Sequence, residues 1–160
     1  FQNLFKVLKQ FKKQDDQIWK KKVCKKGDTA AFSKTFYWED AHAFSRLTGD
    51  SNRLHLNYDF AQIHRFEQPV MHGILVLMST VMGTQLPGEG TVLMDEQVTY
   101  KKPVYSGDTI MASVVLTEIK EYTDCYIGTL KGKCVNQSHE TVAEGVYHQY
   151  MDKKFFELGE

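Results

Sequence analysis

The stretch Met71-His72-Gly73-Ile74-Leu75-Val76-Leu77-Met78-Ser79-Thr80-Val81-Met82-Gly83 is apolar around nearly its whole helical circumference. A helix with no polar stripe to turn towards water has to be enclosed. What encloses it follows in the chain, where the periodicity changes. Thr91 to Tyr100, Thr109 to Ile119, Tyr126 to Val135 and Thr141 to Tyr150 are rich in Val, Ile, Thr and Tyr and read as four strands. Pro87-Gly88, Gly107-Asp108, Tyr122-Thr123-Asp124 and Asn136-Gln137-Ser138 separate them with turn chemistry. Upstream, Ala30 to Tyr37 reads as a short strand with Phe32 and Phe36 on one side. Trp38-Glu39-Asp40 then supplies acids for a helix start; Ala41, Phe44, Ser45 and Leu47 continue that helix, and Gly49 stops it. Asn57 can cap a second short helix through Phe60, Ala61 and Ile63. Strand, helices, buried helix and antiparallel meander together predict an α+β domain whose sheet wraps a central hydrophobic helix.

The composition agrees with one such domain. The chain has 160 residues, 42% hydrophobic and 25% charged, with only 3 prolines, which excludes a disordered, collagen-like or disulfide-scaffold protein. Twenty basic residues balance twenty acidic ones, so charge gives no case for a nucleic-acid partner. The longest apolar run, Ile74 to Met78, falls far short of the roughly 18 residues of a transmembrane helix. Cys24, Cys125 and Cys134 are odd in number and lack metal-ligand spacing, so no metal site is expected and the thiols read as buried and inert in a reducing compartment.

The charge is unevenly spread. Residues 1–26 hold nine lysines against Asp15 and Asp16, and Phe1, Leu4, Phe5, Leu8 and Phe11 recur at helical spacing. This is a basic amphipathic extension: a membrane-surface element, an organelle-targeting remnant, a docking helix, or a terminal helix packed on its own domain. It sets the expected division: extension 1–26, domain 27–150, and a tail at 151–160.

The stretch Gly49-Asp50-Ser51-Asn52-Arg53-Leu54-His55 carries the chemistry. An Asp and a His five residues apart in an irregular loop can converge on one water, although Asp50 after Gly49 is equally a good turn residue. Met71-His72-Gly73 opens the buried helix, where free backbone N–H groups and the helix dipole suit a developing oxyanion. Gly73 could instead serve only to bring helix and sheet together.

Gly49 to Ala61, GDSNRLHLNYDFA, resembles the signature of the MaoC-like (R)-specific enoyl-CoA hydratase family, written G-D-x-N-P-[LIV]-H-x-[DN]-P-x-[FY]-A. Phe66 to Gly73, Gln85 to Gly90 and Tyr100 to Asp108 follow in the order of that family's later segments, so the resemblance spans roughly 27–150. It implies a hot-dog fold, with a curved antiparallel sheet around the helix Met71 to Gly83 and two subunits pairing sheet to sheet. It also implies syn hydration of trans-2-enoyl thioesters to (R)-3-hydroxyacyl thioesters, or the reverse dehydration. The substrate is a coenzyme A or acyl-carrier-protein thioester, and no cofactor is implied. By the same resemblance Asp50 and His55 hold the water and Gly73 N–H polarises the thioester carbonyl. Asn52, which can equally orient His55 or cap the loop, is with Arg53 and His72 an expected substrate contact.

Three positions depart from the pattern: Arg53 and Tyr58 stand where the signature has proline, and Val81 where several relatives carry a supporting serine. Arg53 brings a cation that could favour ionised Asp50 or bind a phosphate of coenzyme A. These departures and the basic extension frame a rival expectation, a catalytically weak or inactive hot-dog subunit that binds acyl chains or builds a larger assembly. The extension makes a mitochondrial location the expected one, with the cytoplasm as the alternative.

Overall fold

The structure is a computed structural model that describes residues 20–160; the basic amphipathic stretch at the start of the chain lies outside the described residues. The elements are β1 (Lys22–Cys24), β2 (Thr29–Thr35), α1 (Trp38–Thr48), α2 (Arg53–Leu56), α3 (Tyr58–Ile63), α4 (Ile74–Thr84), β3 (Thr91–Tyr100), β4 (Thr109–Glu121), β5 (Cys125–Val135), β6 (Thr141–Asp152) and β7 (Phe156–Leu158). Five strands form one antiparallel sheet in the order β2-β4-β5-β6-β3. With α4 laid across it, this is the expected α+β hot-dog arrangement.

Glycine and small side chains on the sheet let the helix in. Val114, Gly132 and Gly145 pair in register across β4, β5 and β6, and Ala112, Cys134 and Ala143 form the next row of that face. A methyl group on Gly132 would lie 2.8 Å from Met78 Sδ and 2.9 Å from Tyr147 Cε2, so any larger residue there would push α4 off the sheet. Leu77, Met78, Val81 and Met82 are buried on this side, whereas Ser79 and Thr80 are half-buried and Gly83 and Thr84 exposed. Each large side chain so buried contributes about 1.5–3 kcal/mol. The two methionines also serve the polar groups beneath them. Tyr147 Oη donates to Met78 Sδ at 3.1 Å, and Gln149 Nε2 to Met82 Sδ at 3.4 Å.

The three cysteines are buried and free, as expected. Burial raises all three thiol pKa values, that of Cys134 to about 12, which keeps them protonated and unreactive.

Two regions differ from the expectation. The helix begins at Ile74 rather than Met71, because Met71 N–H donates to Val104 O and Val70 N–H to Leu54 O, holding that segment non-helical alongside its neighbours. The segment 151–160, expected as a tail, carries the end of β6 and then β7, which pairs in parallel with β1 inside the expected extension. Cys24 and Phe156 close this seam, fully buried. Strands of three residues have too little alternation to be seen in sequence.

Candidate active site

The loop that follows α1 is built from successive side-chain turns. Gly49, at φ 81°, ends the helix in the left-handed region that glycine adopts without strain. Asp50 Oδ1 then accepts from Asn52 N–H at 3.1 Å, and Asn52 Oδ1 accepts from Leu54 N–H at 3.0 Å, capping the single turn α2. That turn presents His55. Its Nδ1 lies 2.6 Å from Val70 O, and since a carbonyl can only accept, Nδ1 carries the proton and a neutral His55 exposes a lone pair at Nε2. His55 Nε2 lies 4.0 Å from Asp50 Oδ2. The two residues, five apart in sequence, are thus brought together in space.

His72 joins them. Its Nε2 lies 4.0 Å from the same Asp50 oxygen, and its ring stacks on His55 with centroids 4.0 Å apart and planes inclined by 28°. Phe44, from α1, packs against His72 at 4.8 Å between centroids. The three polar residues grade from open to enclosed: side-chain exposure is 46% at Asp50, 18% at His55 and 6% at His72. Burial, together with the neighbouring His55, lowers the His72 pKa from its ordinary 6.5, while Asp50 acts in the opposite sense.

Gly73 lies at the start of α4 against Phe36. A methyl group there would sit 2.8 Å from Phe36 Cε1, so the glycine is required by packing. Among the described residues its N–H has no hydrogen-bond partner, and it points from the start of an 11-residue helix. The Arg53 guanidinium lies over the Phe60 ring at 4.8 Å; Asp50 has no ion pair with it among the described residues. Val81 is fully buried in the core, about 12 Å along the helix axis from Gly73. No residue pattern marks the Val70 carbonyl, because every residue has one, and Phe44 and Phe36 read only as apolar periodicity.

A family model described as "MaoC like domain" matches residues 15–135. The chain belongs to the MaoC-like domain family. Two curated relatives of this MaoC-like chain are instructive. The (R)-specific enoyl-CoA hydratase of Aeromonas caviae is 36% identical over 121 residues, covering 74% of this chain and 89% of that protein. The mitochondrial 3-hydroxyacyl-[acyl-carrier-protein] dehydratase FERN of Solanum lycopersicum is 30% identical over 125 residues, covering 77% and 74%. Among solved structures, the (R)-hydratase from A. caviae involved in PHA biosynthesis superposes with a TM-score of 0.71 at 34% identity, covering 78% of this chain and 95% of the other.

Proposed function

We infer that this protein adds water across the double bond of trans-2-enoyl thioesters to give (R)-3-hydroxyacyl thioesters, and runs the reverse dehydration, as a hydro-lyase of fatty acid metabolism. One observation carries the reading: Asp50 Oδ2 and His55 Nε2 face each other across 4.0 Å, with the imidazole tautomer set by Val70. If the pair takes a proton from a water it holds as the hydroxyl adds to C3, and then returns that proton to C2, both groups arrive from the same side, which is syn addition. As the C–O bond forms at C3, the electron pair of the double bond moves towards the thioester carbonyl, and proton delivery to C2 restores that carbonyl. The Gly73 N–H, which has no partner among the described residues, would with the positive end of the α4 dipole stabilise the enolate-like charge in between. The names of the A. caviae and tomato relatives support both directions of this reaction.

Asn52 and Arg53 are assigned to the thioester. With Oδ1 taken by Leu54, Asn52 offers its Nδ2, and Arg53 sits on α2 beside His55 with its charge free of any ion pair among the described residues. Coenzyme A or an acyl-carrier protein is then part of the substrate, and the chemistry is written without metal or resident cofactor. The protein is read as a homodimer, supported by the edge of β3, which among the described residues pairs with β6 alone. The basic amphipathic stretch that precedes β1 is proposed to dock on a larger assembly. A mitochondrial location is supported by that basic stretch and by relatives in tomato and Arabidopsis thaliana whose names place them there.

The test mixes purified protein with crotonyl-CoA and with a longer trans-2-enoyl-CoA and follows loss of the enoyl-thioester absorbance, with chiral analysis of the product. An (R)-3-hydroxyacyl product that disappears in Asp50→Asn is the expected result. No turnover of these or of a carrier-protein thioester by folded protein would favour the rival subunit reading.

A further inference from the structure

We propose that His72 is a third contact of the reacting water, its Nε2 completing with Asp50 Oδ2 and His55 Nε2 a polar triangle around one water molecule. The proposal deepens the hydratase reading above and rests on it for the word reacting.

The first argument is the state of the ring. The His72 side chain is only 6% exposed, and neither Nδ1 nor Nε2 has a partner within hydrogen-bond distance among the described residues, although the Asp50 backbone lies close enough to act on the ring. Buried polar atoms in folded proteins are almost always partnered, so an orphaned imidazole at the edge of a polar cleft marks a place where something else binds. Packing alone does not explain the choice of residue, since a phenyl ring would fill the slot between Phe44 and His55 without leaving polar atoms bare.

The second argument is distance. One polar atom from each of Asp50, His55 and His72 lies within 4.8 Å of the other two. The centre of a triangle no larger than that is at most about 2.8 Å from every corner, which is the length of a hydrogen bond. The Phe44 and His55 rings both pack on the His72 ring, and its Nε2, an edge atom, is the one that lies 4.0 Å from Asp50 Oδ2.

The third argument counts protons. Water has two hydrogens and two lone pairs. The Asp50 carboxylate can only accept, and neutral His55 also accepts at Nε2 because Val70 takes its Nδ1–H. These two residues therefore engage both hydrogens of the water. One lone pair must attack C3, and the other is left for a donor. A neutral His72 bearing its proton on Nε2 is that donor, and burial beside a second imidazole favours the neutral ring. Donating into the second lone pair turns the first towards the substrate and stabilises the oxygen as its proton leaves.

The same three atoms are close enough for a small cation, but the rings argue for water. A metal–imidazole bond lies in the ring plane along the nitrogen lone pair, at about 2.0–2.1 Å for zinc. Two rings stacked 4.0 Å apart and inclined by only 28° would have to unstack to aim both lone pairs at one ion. Hydrogen bonds tolerate that misalignment better.

The experiment pairs kinetics with a structure. His72→Phe keeps the stack and removes both nitrogens; His72→Gln keeps an amide N–H that can donate. With crotonyl-CoA, His72→Phe is expected to lower kcat at least tenfold while KM changes less than about threefold, and His72→Gln to recover several-fold of that loss. His72→Phe turnover within twofold of wild type would overturn the proposal. A crystal structure of the wild-type protein should show one water within hydrogen-bond distance of Asp50 Oδ2, His55 Nε2 and His72 Nε2. Its absence would overturn the contact whatever the kinetics and whether or not His72→Phe folds. A shared water in a protein that turns over no thioester would instead uphold the contact and count against the hydratase reading.

Discussion

The two ends of α4 treat polar groups in opposite ways. In its second half, Met78 and Met82 lie on the sheet and even their sulfurs are used, one accepting from the Tyr147 hydroxyl and one from the Gln149 amide. At its start, much stronger hydrogen-bonding groups have no partner among the described residues: both nitrogens of His72 and the N–H of Gly73. Among the described residues the fold partners the buried Tyr147 hydroxyl and leaves the His72 imidazole unpartnered, the contrast expected where one end serves stability and the other is proposed to bind.

The sharpest way to break this contrast is to remove the polar groups at the open end. Asp50→Asn and His55→Gln should each lower kcat by about 10²–10⁴ while the thermal midpoint moves only a few degrees, checked by the absorbance assay and a melting curve. Near-normal turnover in both variants would erase the distinction between the two ends.

The Gly73 position sharpens the contrast further, because packing and N–H can be separated there. In a Phe36→Leu background that makes room for a Cβ, Gly73→Ala keeps the N–H, while Gly73→Pro removes it at a φ of −71° that proline accepts. The expected outcome is activity near the background level for alanine and a loss of about 10²–10³ in kcat for proline. Equal activity in the two would leave the glycine with its packing duty alone.

The packed end should respond in stability instead. Gly132→Ala places a methyl 2.8 Å from Met78 Sδ and should cost about 1–3 kcal/mol in a denaturant titration, with kcat per folded molecule unchanged. A parallel fall in kcat would mean that the two ends are mechanically coupled.

The smallest effect is on pH. Because the folded-state pKa of His72 is depressed, native and unfolded chains are both neutral at this residue well above pH 6.5, and its contribution there is flat. As pH falls below about 6.5, the unfolded chain binds a proton that the native state refuses, so stability declines until the lowered native value is passed. His72→Phe should flatten that part of a stability–pH curve. An unchanged slope would show that other groups set it.

Much of the molecule could be read directly from the chain, and the limits of that reading have physical causes. The strand Thr91 to Tyr100 has the same bounds in structure as in sequence, because a ten-residue β-rich run bounded by turns is a local signal. The pairing of β1 with β7 was invisible, since residues 22–24 and 156–158 are far apart and each too short to show a period. In the site, Asp50 and His55 could be picked out because a motif of polar residues in a loop stands out from its neighbours. Their tautomer and partners could not, because these depend on the Val70 carbonyl and on a stack between two elements.

By itself the sequence determined the class of fold, the wholly apolar helix at its centre, and the residue types able to move a proton, because hydrophobic periodicity and side-chain chemistry are local properties. Only the tertiary structure decided that His72 meets Asp50 and His55 in one place, that Gly73 is needed by Phe36, and that Met78 caps Tyr147. Those are matters of a few ångströms between distant parts of the chain, set by how helix and sheet pack, and no local pattern encodes them.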